Sequence, residues 1–294
     1  MMRNVHSRPR GNHQARRRPM TGFWLALAVM SMSVMAQVCA QTASSRPIQW
    51  HSEPLQGALV MGEAKNLAKV QINGLQVPLT SEGQFVFGIG RDDTDPVVIE
   101  AQWLDGHTAK TTLLPIQREF EVQSIDGLDQ AMVTPPKDTL ARIKDDARQA
   151  RQARQIVSDL DGFREAFIWP VKGPITGVYG SQRILNGEPR APHWGIDIAA
   201  PTGTPVVSPA SGRVVLVHED MYFSGGTLFV DHGHGVMSAF LHMDRIDVTE
   251  GQQVPQGASL GTVGATGRAT GPHLDWRVSW RNVRVDAGLL VPKQ

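Results

Sequence analysis

The 294-residue sequence predicts a mostly β protein, made of two β-rich parts with one helix between them. Three observations carry that expectation. Short alternating apolar runs broken by turn residues fill about residues 46–130, one stretch of helical periodicity spans about 138–161, and short β runs return in a Gly-rich setting from Phe167 onward. With 41% apolar residues and 29 basic against 28 acidic groups, the composition is globular and excludes a disordered or collagen-like chain.

The first forty residues stand apart. Arg3, Arg8, Arg10, Arg16, Arg17 and Arg18 precede an uncharged run from Thr21 to Ala40, the pattern of a secretory signal cut before Gln41. Residues 1–40 are therefore expected to be a signal peptide, which places the mature chain in the periplasm or outside the cell. Left uncleaved, about twenty uncharged residues would just span a bilayer, and only then is a membrane partner expected. The single cysteine, Cys39, falls inside this run, so the mature chain has neither disulfides nor thiol chemistry. Without the six arginines the balance is 23 basic against 28 acidic, or −5, and no nucleic-acid partner is expected.

Residues 46–134 are expected to form an immunoglobulin-like β-sandwich. The runs Gly57–Met61, Val70–Ile72, Val77–Leu79, Gln84–Phe87 and Val97–Ile99 alternate as antiparallel strands do. Asn73-Gly74 between Ile72 and Leu75 signals a two-residue hairpin, since both central positions of a type I′ turn need positive φ. This part holds no cluster of metal ligands or nucleophiles, so its expected role is spacing or binding.

Residues 135–165 are expected to be a linker helix, with Asp138 as N-cap and Leu140, Ile143, Ala147, Ala150, Val157 and Leu160 along one face. Arg148, Arg151 and Arg154 interleave with Asp145, Asp146, Asp159 and Asp161. That mixture predicts a solvated helix rather than a nucleic-acid stripe.

The remainder, residues 166–294, reads as a turn-rich β domain with strands at Gly212–Val217, Thr227–Val230 and Leu274–Val278. His193, His218, His232, His234, His242 and His273 all fall in it, and neutral imidazole is the commonest protein metal ligand. His193-Trp194-Gly195-Ile196-Asp197 follows Pro192, which argues against a helix interior. On a straight strand His193 and Asp197 would lie roughly 13 Å apart, too far to share an ion, so Gly195 is expected to permit a bend. In Thr270-Gly271-Pro272-His273-Leu274-Asp275, His273 and Asp275 are two apart and share a strand face. The third element is Leu241-His242-Met243.

Together these residues resemble the M23 (lysostaphin-type) zinc metallopeptidases of cell-wall metabolism, over about residues 167–285. In that family a His-x-Gly-x-Asp pattern supplies two zinc ligands and a later His-x-His supplies a catalytic histidine and the third ligand. The resemblance implies an antiparallel β peptidase domain with His193, Asp197 and Asp275 as ligands of one Zn²⁺ and His242 and His273 as catalytic residues. Asp275 stands where the family normally has histidine. Carboxylate is an acceptable zinc ligand, but a His, Asp, Asp set around a dication sums to zero, which predicts weaker polarisation of a carbonyl and of bound water. His218, His232 and His234 match no ligand position and are expected to be structural.

The resemblance implies an exported peptidoglycan endopeptidase that hydrolyses peptide stems through a metal-activated water, with a D-alanyl cross-link favoured over a glycine bridge. A rival expectation is a non-catalytic regulator that keeps the fold and activates another wall hydrolase. Similarity of Gly203–Val214 and Val248–Gly264 to the halves of a lipoyl or biotinyl carrier is set aside because no lysine lies between Lys172 and Lys293.

Overall fold

A computed structural model describes residues 47–125 and 136–293. The expected signal at 1–40 lies outside the described residues. Alternation produces the first seven strands: β1 (Gln49–Trp50), β2 (Leu59–Glu63), β3 (Leu67–Ile72), β4 (Leu75–Val77), β5 (Gln84–Gly88), β6 (Val97–Trp103) and β7 (Thr108–Leu113). They form two antiparallel sheets, ordered β1-β2-β5 and β4-β3-β6-β7. In β6 the period-2 pattern is complete, with Val97, Ile99, Ala101 and Trp103 all buried. Asn73 and Gly74 join β3 to β4 with φ of 48° and 79°, as the hairpin requires.

A strand β8 (Val122–Ile125) follows, and then α1 (Leu140–Arg154). The helix does not begin on Asp138. A 3₁₀ turn at Lys137–Thr139 precedes it, and Thr139 occupies the cap position with its hydroxyl donating to Pro136 O (2.8 Å). Nor is α1 solvated all round. Ala150, Ala153 and Ile156 pack against Leu216, Met221, Phe229, Met237, Ala239 and Leu241, and Asp146 accepts from the Tyr222 amide (2.7 Å). Small residues one turn apart let the helix approach the sheet closely, while the outer face keeps its charges, paired as Arg148–Asp145.

The C-terminal part contains β9 (Ile175–Gly177), β10 (Gln182–Leu185), β11 (Glu188–Pro189), β12 (Ile196–Ala199), β13 (Pro205–Val207), β14 (Gly212–Met221), β15 (Gly225–Gly233), β16 (Val236–Ile246), β17 (Gln253–Val254), β18 (Ser259–Val263), β19 (His273–Trp280) and β20 (Val283–Val285). Ten of these make one sheet whose main path runs β17-β14-β15-β16-β19-β12-β9. All nine residues of β15 are buried. Alternation along β16 explains how: Met237, Ala239 and Leu241 face the cluster under α1, while Val236 and Phe240 join the main core on the other side.

The two β-rich parts meet through specific contacts. Arg118 reaches Asp286 (2.8 Å), the Asp286 amide donates to Gly57 O (2.7 Å), and β8 pairs in parallel with β10. A Cβ at Gly88 would lie 3.0–3.3 Å from Val285, Trp280 and Val283, so bare backbone is what lets these elements close. No helix among the described residues is long and apolar enough to cross a membrane.

Candidate metal and catalytic centre

Three adjacent strands of the large sheet bring the predicted residues together. Antiparallel pairing of β12 with β19 sets Asp197 directly opposite Asp275, and pairing of β16 with β19 sets Leu241 opposite Asp275. His193 precedes β12, held by its amide to Ser181 O (2.9 Å) and by the Gly180 amide to its own carbonyl (2.8 Å). His242 has φ of 64° where the pairing of β16 shifts, an irregularity that turns its ring out of the strand's alternation.

The chain bends at Gly195, as expected from His193-Trp194-Gly195-Ile196-Asp197, and the imidazole and carboxylate come together. The missing side chain also gives clearance, because a Cβ there would lie 2.2 Å from Asp275 Oδ1. Gly177 does the same for the other carboxylate, with a virtual Cβ 2.3 Å from Asp197 Oδ2. Both acids therefore sit against bare backbone.

Side-chain donor atoms of His193, Asp197 and Asp275 lie within 4.8 Å of one another. His193 Nε2 is 3.0 Å from Asp197 Oδ1, both atoms are buried, and neither has a hydrogen-bond partner. Two buried atoms of this kind are satisfied either by a proton shared between the imidazole and the carboxylate or by a cation bound between them. Asp275 is 2% exposed and engaged by Arg277, whose Nε donates to Oδ1 (3.0 Å) and Oδ2 (3.1 Å) and whose Nη2 donates to Oδ2 (2.6 Å). Burial alone would raise the Asp275 pKa, but the guanidinium outweighs it and holds the carboxyl well below its usual range. A carboxylate offers about four lone-pair directions, so Oδ1 retains capacity for a further ligand. The donor set thus fits a zinc ion: one imidazole and two carboxylates, two of the atoms orphaned.

The two remaining histidines form a pair, with ring centroids 4.8 Å apart. His242 Nδ1 donates to Thr266 O (2.8 Å) and His273 Nδ1 to Gly271 O (2.8 Å), so the Nδ1 of each ring carries a proton. Burial pushes the His242 pKa down, so that ring is neutral at pH 7. His273 Nε2 stands 3.9 Å from Asp197 Oδ1.

Asp197, Asp275, His242 and His273 open on a cleft of about 420 Å³. His232, by contrast, is fully buried between Ser211 O (2.9 Å) and Ser238 Oγ (2.8 Å), His234 stacks on Phe163 (4.5 Å), and His218 accepts from the Asp220 amide (3.1 Å). None of the three lines the cleft.

Arginine is the chemistry that motif reading missed. Arg183 Nη2 lies 3.1 Å from Asp197 Oδ2, and Arg277 grips Asp275, so each acidic ligand candidate carries its own guanidinium. The zero-sum charge expected for two carboxylates around a dication counted ligands alone; with the two arginines the same centre sums to +2. Arg277 was detectable, standing two residues beyond Asp275 on the same strand face. Arg183 gave no signal, because only the folded chain brings β10 to Asp197.

The β-sheet cleft thus brings an imidazole, two carboxylates and a further pair of histidines into one site. Residues 191–287 match the family described as Peptidase family M23. The crystal structure of an M23 protein from Pseudomonas aeruginosa is similar at 31% identity and a TM-score of 0.64, covering 82% of this chain and 96% of that one. The chain belongs to peptidase family M23. It is 44% identical to the peptidoglycan DD-endopeptidase ShyB of Vibrio cholerae over 40% of this chain and 24% of that protein. It is 31% identical to the cell division protein DipM of Caulobacter vibrioides over 55% of this chain and 26% of that one. These matches span about a quarter of each curated relative's length.

Proposed function

We propose that this chain is an exported peptidoglycan endopeptidase that hydrolyses peptide cross-links at the His193–Asp197–Asp275 centre, with zinc as its metal. One observation carries the reading: two buried atoms, His193 Nε2 and Asp197 Oδ1, stand 3.0 Å apart without hydrogen-bond partners beside a cleft that presents two imidazoles. Zinc held by those three side chains would supply Lewis acidity, polarising the scissile carbonyl and acidifying a water. His242 and His273 share the proton work. Each has its Nδ1 tied to a carbonyl, so between their Nε2 atoms they take the water's proton, return it to the leaving amine and hydrogen-bond the developing oxyanion. A relative described as a DD-endopeptidase supports peptide stems with D-alanyl cross-links as substrate. The Arg-rich start followed by an uncharged run supports export to the periplasm through residues 1–40. Residues 46–134 would then serve as a spacing or binding domain, 135–165 as a linker and 166–294 as the peptidase domain.

Elemental analysis of the purified mature chain, with product masses from cross-linked wall fragments incubated with and without chelator, tests this. The expected result is about one zinc per chain and chelator-sensitive release of uncross-linked stems. Absence of metal together with unchanged muropeptides overturns it.

A second reading is favoured by one observation, the bidentate Arg277–Asp275 pair, which neutralises the third ligand candidate without any metal. The protein would then be a regulator that keeps the fold and activates another hydrolase. The double substitution Asp275→His with Arg277→Gln separates the two: activity appearing from nothing supports the regulator, and a modest change from an active parent supports the enzyme.

A further inference from the structure

Four of the five residues at the centre are fixed by the sheet ladder: Asp197 on β12, His242 on β16, and His273 and Asp275 on β19. His193 is not. It precedes β12, so the place of its ring depends on whatever holds its backbone. Its amide donates to Ser181 O (2.9 Å) and its carbonyl accepts from the Gly180 amide (2.8 Å), both in the turn between β9 and β10. That turn is gripped from the N-terminal β-rich part. Arg91, in the loop between β5 and β6, donates from Nε to Gly180 O (2.6 Å), and its guanidinium carbon lies 4.5 Å from the centre of the Phe120 ring. Phe120 in turn rests on Gly180, whose φ is 82° and where a Cβ would come within 2.2 Å of the Phe120 ring. The same ring meets Tyr179 edge-on at 6.2 Å, and Tyr179 packs at 6.2 Å against Trp194, the neighbour of His193. Gly180 therefore receives the Arg91 hydrogen bond on its carbonyl and passes one to His193 from its amide.

The loop that presents Arg91 is itself pinned. Asp93 Oδ2 accepts from the Gly90 amide (2.7 Å), and Gln56 Nε2 donates to Asp93 O (3.1 Å). The Arg91 side chain is 14% exposed, and Asp92 takes its Nη1, which leaves Nε for the turn. A guanidinium that bonds a carbonyl through its edge while its plane lies on an aromatic ring fixes both groups relative to each other, which an ammonium cannot do.

We propose that Arg91 is a positioning residue for the metal centre: with Phe120 it clamps the Gly180 turn, and the turn sets the His193 imidazole against Asp197. The inference rests on His193 serving as a zinc ligand. A ligand ordered beforehand does not have to be ordered when the ion arrives, so groups that orient ligands tighten a site without touching the metal. Zinc affinity is thereby tied to the docking of the N-terminal part on the turn.

Zinc binding to the mature chain, measured by competition with a chromophoric chelator, tests this together with hydrogen exchange at the amides of Gly180 and His193. Arg91→Met keeps the bulk of the side chain and removes its donors. It should weaken zinc binding about 10-fold, the lower end of what loss of an orienting partner costs a metal site, and speed exchange at both amides. Arg91→Lys, which keeps a donor for Gly180 O but not the stacked plane, should recover part of the affinity. Phe120→Leu should weaken binding in the same direction. Val70→Ala, a truncation at a fully buried position in the N-terminal sheets, should lower the Tm and leave zinc affinity unchanged. Equal affinity of Arg91→Met and the parent overturns the positioning role while leaving the endopeptidase reading intact. Equal weakening by Val70→Ala overturns it too, since lost stability would then account for the effect. A parent that takes up no zinc overturns the endopeptidase reading and the positioning role together.

Discussion

At the scale of single residues, Asp275 and Arg277 have to be treated as one unit. Replacing Asp275 with histidine strands the Arg277 guanidinium, which is 25% exposed and has Asp275 as its ion-pair partner. Half-screened as it is, the loss should cost about 1–3 kcal/mol of stability for Asp275→His alone, with most of it recovered when Arg277→Gln is added. Urea unfolding of the two variants checks this; equal destabilisation would show that the pair contributes nothing. His232 supports a second expectation. Burial lowers its pKa to about 4, while an unfolded histidine titrates near 6.5, so the unfolded chain takes up a proton that the folded chain refuses. Stability from this group is complete above pH 6.5 and is lost as pH falls toward 4, by on the order of 3 kcal/mol. Burial lowers His234 and His242 in the same sense, and raises the carboxyl of Asp231 in the opposing one. The comparison is therefore of slopes: His232→Gln should flatten the fall in unfolding free energy between pH 6.5 and 4, and an unchanged slope would refute the assignment.

At the scale of elements, α1 is the lid on one face of the sheet. Met237, Ala239 and Leu241 of β16 and Phe229 of β15 are buried only because Ala153 and its neighbours lie over them. Ala153→Glu would drive a carboxylate into that apolar contact or force the helix off, and should destabilise by about 1–3 kcal/mol. A chemical denaturation midpoint unchanged from the parent would mean the helix is an ornament on the surface. Interleaved charges made this helix look solvated in the sequence. The periodic alanines that do the docking read the same whether or not a partner surface exists, so only the sheet's own unpaired face could have revealed it. The Asn73-Gly74 hairpin was legible because its turn chemistry is local. Asp138 failed as a cap because a 3₁₀ turn took over the helix start and Thr139 bonded back to Pro136. The bend at Gly195 that brings His193 to Asp197 was legible, whereas the clearance its missing Cβ gives a strand eighty residues away in sequence was not.

At the scale of the whole molecule, the motif residues His193, Asp197, His242, His273 and Asp275 were visible because each lies in a short local pattern. Their arginine partners were not, since Arg183 reaches Asp197 through tertiary pairing alone. That pairing also ties the N-terminal part to the site. β10, which carries Arg183, is held on one side by the two-residue β11 and on the other by β8, a strand contributed from beyond the seven-stranded N-terminal sheets. Arg118 binds Asp286 from the same segment, and Gly88 lies against Trp280, Val283 and Val285. A chain of residues 136–294 would therefore lose the parallel partner of β10, unpair Asp286 and expose an apolar face. The full mature chain should unfold in one calorimetric transition, and the shortened chain should melt at a lower temperature and hold Arg183 less firmly. Hydrogen exchange at the amides of residues 182–185 reads the second effect directly, with faster exchange expected in the shortened chain. Two separated transitions in the mature chain, with exchange at β10 unchanged by truncation, would show instead that the N-terminal β part is an independent module and that the positioning of Arg183 is internal to the peptidase domain.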